Sequence, residues 1–203
     1  MIRKHFLLIM AIIYWIFMMV GFSDNWLTQV DQESNSDLKF IIHGFIAFLW
    51  FSLLIAQNAL VKSNHVNIHK KLGLLGLPLF YLLIGSVGYL VYYELKANGS
   101  LNALPTMVSV QAVVATIVIT IGFTKRRDNP KLHKLMMTFG AFCLTQAAIN
   151  RSIYWLFGND YVFILSLIIM LLMLASFIWY SRRFHWFYGA WIISFVAGIV
   201  LVL

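Results

Sequence analysis

Residues 38–61, LKFIIHGFIAFLWFSLLIAQNALV, are the part of this chain that indicates its fold class most clearly. After Lys39 near its start, His43 is the only ionisable residue in the stretch. Its length matches the roughly 20 predominantly apolar residues that a helix needs to cross the hydrocarbon core of a bilayer. The stretch is therefore predicted to be a membrane-spanning helix.

Six more apolar runs surround it, and together they predict a single all-α transmembrane domain over residues 1–203. The seven predicted spans are approximately 6–22, 38–61, 72–93, 104–123, 131–157, 161–180 and 186–203. Of the 203 residues, 62% are hydrophobic and only 11% are charged, against roughly 25% charged in soluble domains. This composition excludes a soluble enzyme and a nucleic-acid-binding module, and it makes the lipid bilayer the expected partner. Cys143 is the single cysteine, so no disulfide framework is expected.

The charged residues of the connecting segments separate by sign. One side of the predicted bundle has twelve basic residues and one acid, a balance of +11, and the other has three basic residues and six acids, a balance of −3. These balances add to the net charge of +8. Because basic segments stay in the cytoplasm, the N-terminus is predicted to be cytoplasmic and the C-terminus outside.

Ionisable residues inside spans are candidate functional residues, because burying one costs roughly 2.5 to 3.5 kcal/mol on insertion scales. His69 and His133 begin the third and fifth spans, and both are predicted to lie at the inner membrane surface. They share a local pattern, His-Lys with a glycine seven residues on. The helix faces at Gly73, Gly76 and Gly140 have no side chains, so a planar cofactor is expected to be able to approach the backbone there. Both histidines would then be ligands of its metal ion. Close packing of helices through small residues is the alternative explanation for these glycines.

A second set of polar residues is predicted to form an outer polar site. His43 and Arg151 lie at similar depths below the outer ends of their spans, at about 1.5 Å rise per residue. Asn150 adjoins Arg151, and Gln57 follows His43 along the second span towards its inner end. His133 and Arg151 are eighteen positions apart, which makes five helical turns at about 100° per residue. Both side chains are therefore expected on one face of the fifth span.

Several of these motifs resemble an uncharacterised bacterial multi-pass membrane family, described as domain of unknown function 2306. The matching features are His43-Gly44, Gln57, Ile68-His69-Lys70-Lys71-Leu72-Gly73, Leu132-His133-Lys134-Leu135-Met136-Met137 and Asn150-Arg151, within a core region of about 38–157. The resemblance implies an α-helical bundle in the bacterial cytoplasmic membrane and supplies no established reaction. Histidines at two membrane depths also look, more distantly, like the transmembrane two-haem b-type cytochromes. The chain departs from that pattern because His43 is alone in the outer layer, which leaves one inner haem.

The leading hypothesis is a membrane electron-transfer protein with one b-type haem between His69 and His133. The outer residues would then serve a quinone or another small molecule. An alternative is a non-redox membrane protein, a small-molecule binder, carrier or assembly partner in which the histidines are structural. A third interpretation is a metal site formed by His65, His69 and His133, because imidazole suits zinc, copper or iron.

Overall fold

A computed structural model of the chain describes residues 2–201, except for the side chains of Ile2 and Glu33. Over this range the chain forms α-helices and short turns, and no β-strand. The helices are α1 Ile2–Gly21, α2 Leu38–Lys62, α3 Val66–Asn98, α4 Ala103–Thr124, α5 Pro130–Cys143, α6 Gln146–Phe157, α7 Val162–Ser181 and α8 Trp186–Val200. The all-α prediction is confirmed for the described residues. The end of the last predicted span, residues 202–203, lies outside them.

Five helical segments within residues 2–201 are long and apolar enough to cross a membrane. They are Arg3–Gly21, Leu38–Lys62, Val66–Asn98, Ala103–Thr124 and Asn159–Ser181. Large apolar side chains such as Phe45, Leu172 and Ile193 are exposed on the outside of the bundle, where a water-soluble protein would place polar groups. A membrane protein with several spanning helices accounts for this surface.

Local sequence signals explain where two of the helices begin. The Asp37 carboxylate accepts a hydrogen bond from the backbone nitrogen of Lys39 at 3.1 Å and caps the N-terminus of α2. Asn129 caps α5 in the same way, with Pro130 in the first turn, where a missing N–H costs nothing.

The centre of the bundle is α5, which is buried along most of its length between α1, α4 and the helices that follow it. Phe139 and Phe142 on α5 pack against Phe177 of α7, and Phe142 also contacts Trp191 of α8. These rings are 0–1% exposed. The aromatic core therefore fixes the position of α5 relative to α7 and α8.

The predicted fifth span, 131–157, is not one continuous helix. It is interrupted at Leu144 and Thr145, and α6 begins at Gln146. The backbone nitrogens of Leu144 and Thr145 donate to carbonyls three residues back at 3.0 Å, and the Thr145 hydroxyl donates to the Phe142 carbonyl at 2.7 Å. Because Thr145 is fully buried in protein, irregular backbone is tolerated at this depth. The prediction that His133 and Arg151 lie on one face of a continuous helix is therefore wrong.

Candidate functional site

The structure brings together residues of four helices at the basic end of the bundle, in what we call the two-histidine site: Gln57 of α2, His69 of α3, Gly122 of α4 and His133 of α5. The imidazole centroids of His69 and His133 are 6.5 Å apart, with ring planes at 71°. Both histidines are half-buried. The predicted pairing of these two residues at one end of the bundle agrees with this arrangement.

The backbone of α4 orients His133. Its Nδ1–H donates to the carbonyl oxygen of Gly122 at 2.9 Å. That carbonyl lies in the last turn of α4, where backbone carbonyls lack their usual intrahelical donors. The backbone nitrogen of Arg126, four residues further on, donates to the Phe123 carbonyl and leaves the Gly122 carbonyl available. With Nδ1 carrying the proton, the neutral ring presents a lone pair on Nε2.

Gln57 holds His69 through its side-chain amide. The amide oxygen accepts from the backbone nitrogen of Gly73 at 3.0 Å, and the amide nitrogen donates to the His69 carbonyl at 3.1 Å and to its Nδ1. The two ends of the amide are assigned from these partners. In this orientation neutral His69 carries its proton on Nε2. A half-turn of the amide would let its oxygen accept a hydrogen bond from Nδ1 and would free Nε2, but it would break the hydrogen bonds with the His69 carbonyl and the Gly73 nitrogen.

The three glycines of the predicted cofactor faces are packed against neighbouring helices. A Cβ at Gly73 would lie 3.7 Å from the side-chain amide of Gln57, and one at Gly76 would lie 3.7 Å from Leu53. A Cβ at Gly140 would lie 2.4 Å from Ile119 of α4. These faces serve helix packing in the structure, as the alternative explanation proposed, and a planar cofactor would have to lie elsewhere around the imidazoles.

The spacing of the two imidazole rings matches that of a pair of haem-iron ligands. Two nitrogens facing each other, each about 2.0 Å from the same ion, would place the imidazole centroids roughly 6.3 Å apart, and the separation in the structure is 6.5 Å. His133 has the second-shell hydrogen bond to a backbone carbonyl that metal-bound histidines typically make. His69 lacks such a partner in the assigned orientation of Gln57, because the amide nitrogen donates to its Nδ1. The fit therefore comes from the spacing of the two histidines and from the Gly122 carbonyl, and the glycine faces make no contribution to it.

In the described part of the chain, His65 does not join His69 and His133 in a metal site, as the third interpretation requires. The Nδ1 of His65 is hydrogen-bonded to the hydroxyl of Ser63 at 2.9 Å, on an exposed turn before α3. Among residues 2–201, no three histidine, cysteine or acidic side chains are close enough together to hold a metal ion.

The predicted outer polar site divides into separate places. His43 lies on α2, and its Nδ1 is 2.9 Å from the hydroxyl of Ser86 on α3. Gln57 belongs to the two-histidine site at the other end of α2. Arg151, on α6, makes its hydrogen bonds to the end of α1 and the turn after it. His43, Gln57 and Arg151 therefore have different partners.

Arg151 forms what we call the Arg151 bridge, with the carbonyl of Gly21 and the carboxylate of Asp24. Its Nε donates to the Gly21 carbonyl at 2.9 Å, and a terminal nitrogen donates to Asp24 Oδ2 at 2.5 Å. The guanidinium also lies over the ring of Phe22, 4.8 Å from its centroid. Asp24 is only 3% exposed, so this contact neutralises a buried carboxylate.

Sequence reasoning missed Asp24, Gly122 and Ser86. Asp24 appeared to be an ordinary loop acid, and its partner lies 127 residues further along the chain. Asn150, which was predicted to complete the outer site, is half-buried with a side-chain oxygen that has no partner in the described part of the chain. One signal was available for Gly122, because a glycine near the C-terminus of a helix permits a close crossing. A Cβ there would lie 2.8 Å from that of Met136.

Comparison with known proteins gives no match. No family model, no curated protein and no solved structure matches the chain. The resemblance to the uncharacterised bacterial family stays a prediction from its motifs.

Proposed function

We propose that the chain crosses a bacterial cytoplasmic membrane seven times, with its N-terminus in the cytoplasm and its C-terminus outside, and that it belongs to the family its motifs resemble. The five long apolar helices support this topology. The fifth crossing along the chain is α5 followed by α6, whose 26 residues would span about 39 Å at 1.5 Å per residue. The seventh is α8. The charge balances of +11 and −3 give the orientation.

We further propose that the two-histidine site holds one b-type haem and that the protein takes part in membrane electron transfer. The observation that carries this proposal is the 6.5 Å distance between the imidazole centroids of His69 and His133. In addition, the hydrogen bond from Nδ1 of His133 to the Gly122 carbonyl leaves the Nε2 of the neutral ring with a lone pair. When bound, the haem would supply one-electron redox chemistry whose potential depends on its axial ligands and their hydrogen bonds.

The residues of the chain have separate tasks in this proposal. The Gly122 carbonyl fixes the ring orientation of His133 and raises its basicity as a ligand. Gln57 would do the same for His69 only with its amide turned by half a turn, which gives up its hydrogen bonds with the His69 carbonyl and the Gly73 nitrogen. Lys70 and Lys134 follow the two histidines in the sequence, and their charges suit the carboxylates of a haem.

We expect the purified protein, expressed with haem supplementation, to show an absorption spectrum typical of bis-histidine haem in its oxidised and reduced forms. His69→Ala and His133→Ala should each remove that spectrum, because each would delete one of the two residues that would hold the haem iron. Gln57→Ala should retain both ligands and weaken haem binding by about tenfold, the lower end of the effect of losing a second-shell partner.

His65→Ala is the matched control, since His65 lies at the same end of the bundle and outside the site. It should leave the spectrum unchanged. A colourless wild-type protein, or full haem content in both His69→Ala and His133→Ala, would overturn the haem proposal.

The second candidate function is a non-redox membrane protein in which the histidines are structural. One observation favours it, namely that His133 caps the C-terminus of α4 through the Gly122 carbonyl, a role that needs no cofactor. In that case His133→Ala would lower the thermal stability of a protein that is colourless from the start.

A further inference from the structure

A cavity of about 220 Å³ lies between α2, α3, α4 and α6, near the end of the bundle opposite the two-histidine site. His43 lines it from α2, and Ala147 lines it from the first turn of α6. Most of the remaining lining is apolar, from Phe40, three residues of α3 and two of α4. We call this space the His43 cavity. Pockets that are mainly apolar with a few polar groups are typical small-molecule sites, and this one is below their usual size.

The hydrogen bonds around Ser86 determine which nitrogen of His43 carries the proton. The Ser86 hydroxyl donates its single proton to the Leu83 carbonyl at 2.7 Å. Its oxygen, 2.9 Å from Nδ1 of His43, must then accept from that ring nitrogen. The neutral imidazole therefore has its proton on Nδ1 and a lone pair on Nε2, which makes no hydrogen bond within residues 2–201.

The charged residues at the cavity already have partners. Lys39 forms an ion pair with Asp37, and its ammonium lies 3.9 Å from the centroid of the Tyr93 ring. The hydrogen bond from Lys39 lowers the pKa of the Asp37 carboxyl, which therefore stays ionised at neutral pH and balances the lysine charge. Glu94 accepts hydrogen bonds from the side chains of Asn98 and Asn102 at 2.9 Å each. A charged ligand would have to displace one of these partners.

We propose that the His43 cavity binds a small, neutral, mainly apolar molecule of the alcohol or phenol class, whose hydroxyl donates a hydrogen bond to Nε2 of His43. The cavity volume accommodates a ligand at the small end of the usual range. Phe40 and Tyr93, which line the cavity, are 42% and 47% exposed, respectively. In this proposal the ligand enters beside them, from the lipid between α2 and α3. This inference does not depend on the haem.

The test uses two probes that differ in one hydrogen-bond donor, 2-naphthol and 2-methoxynaphthalene. Full-length protein with ¹⁵N-labelled histidine, in lipid nanodiscs, is titrated with each probe, and the ¹⁵N resonance of His43 Nε2 is followed. 2-Naphthol should shift that resonance saturably and bind about tenfold more tightly than its methyl ether, the ratio expected for one net hydrogen bond. His43→Ala should bring the two affinities together.

Ser86→Ala tests the tautomer argument without removing the imidazole. Losing the Ser86 oxygen frees the proton of His43 to move to Nε2, which then donates, so the preference for 2-naphthol should fall. Thr116→Ala, a serine-like hydroxyl deletion on α4 outside the cavity lining, is the control and should keep the preference. Equal affinity of the two probes for the wild type, binding of 2-naphthol that His43→Ala leaves unchanged, or no saturable binding of either probe would overturn the proposal.

Discussion

Arg151→Ala is expected to lower the free energy of unfolding by about 3 kcal/mol, because it leaves the buried carboxylate of Asp24 without its charge partner. The residue left behind is Asp24, which is 3% exposed. The substitution also removes the hydrogen bond to the Gly21 carbonyl at the end of α1. The Arg151 bridge thus joins α6 to α1 through two contacts that fail together.

Unfolding in mixed micelles with increasing SDS, followed by tryptophan fluorescence, measures this loss. Arg127→Ala, on an exposed turn, is the control and should change stability by no more than about 0.5 kcal/mol. The double substitution Asp24→Asn with Arg151→Met should cost much less than Arg151→Ala, because it removes both charges at once. If Arg151→Ala behaves like Arg127→Ala, the Arg151 bridge does not stabilise the fold.

Gly21→Ala is expected to destabilise the protein by about 2 to 3 kcal/mol through overpacking. A Cβ at Gly21 would lie 2.5 Å from the backbone oxygen of Ala148 on α6. A backbone atom cannot rotate away as a side chain can, so α1 and α6 would have to separate. That separation would also lengthen the hydrogen bond from the Ser152 hydroxyl to the Phe17 carbonyl, 3.0 Å in the structure.

Gly44→Ala is the matched control, since no heavy atom lies within 4 Å of a Cβ built there. It should leave stability unchanged or raise it by about 0.5 kcal/mol, because alanine is favoured over glycine inside a helix. The same SDS unfolding experiment compares the two variants. Equal stabilities would show that α1 and α6 do not approach as closely at Gly21 as the structure has them.

The helices were largely predictable from hydropathy, since apolar length alone indicates a span. The interruption at Leu144 and Thr145 was not, because the sequence there contains no proline, and local propensity is compatible with a continuous helix. The break depends on burial of Thr145 and of the aromatic core around Phe142. Such tertiary contacts leave no periodic signal in the sequence.

The candidate site was predictable in one respect. Equal depth in the membrane correctly brought His69 and His133 to the same end of the bundle, because depth follows from position in a helix. It could not reveal lateral partners, and so it grouped Arg151 with His43 when Arg151 is paired with Asp24. The glycines show a second limit of prediction from sequence. A helix surface without side chains can accommodate either a cofactor or a neighbouring helix, and at Gly140 the side chain of Ile119 occupies that surface.

The interruption between α5 and α6 also divides the predicted fifth span into two helices with separate attachments. A continuous helix is a stiff rod, and tilting one end of it moves the other. Here the residue that faces the two-histidine site is carried by α5, while α6 is fastened to α1 at Arg151 and Ser152. The interruption at Leu144 and Thr145 therefore separates the helix that carries His133, held by the aromatic core, from the helix that carries the Arg151 bridge.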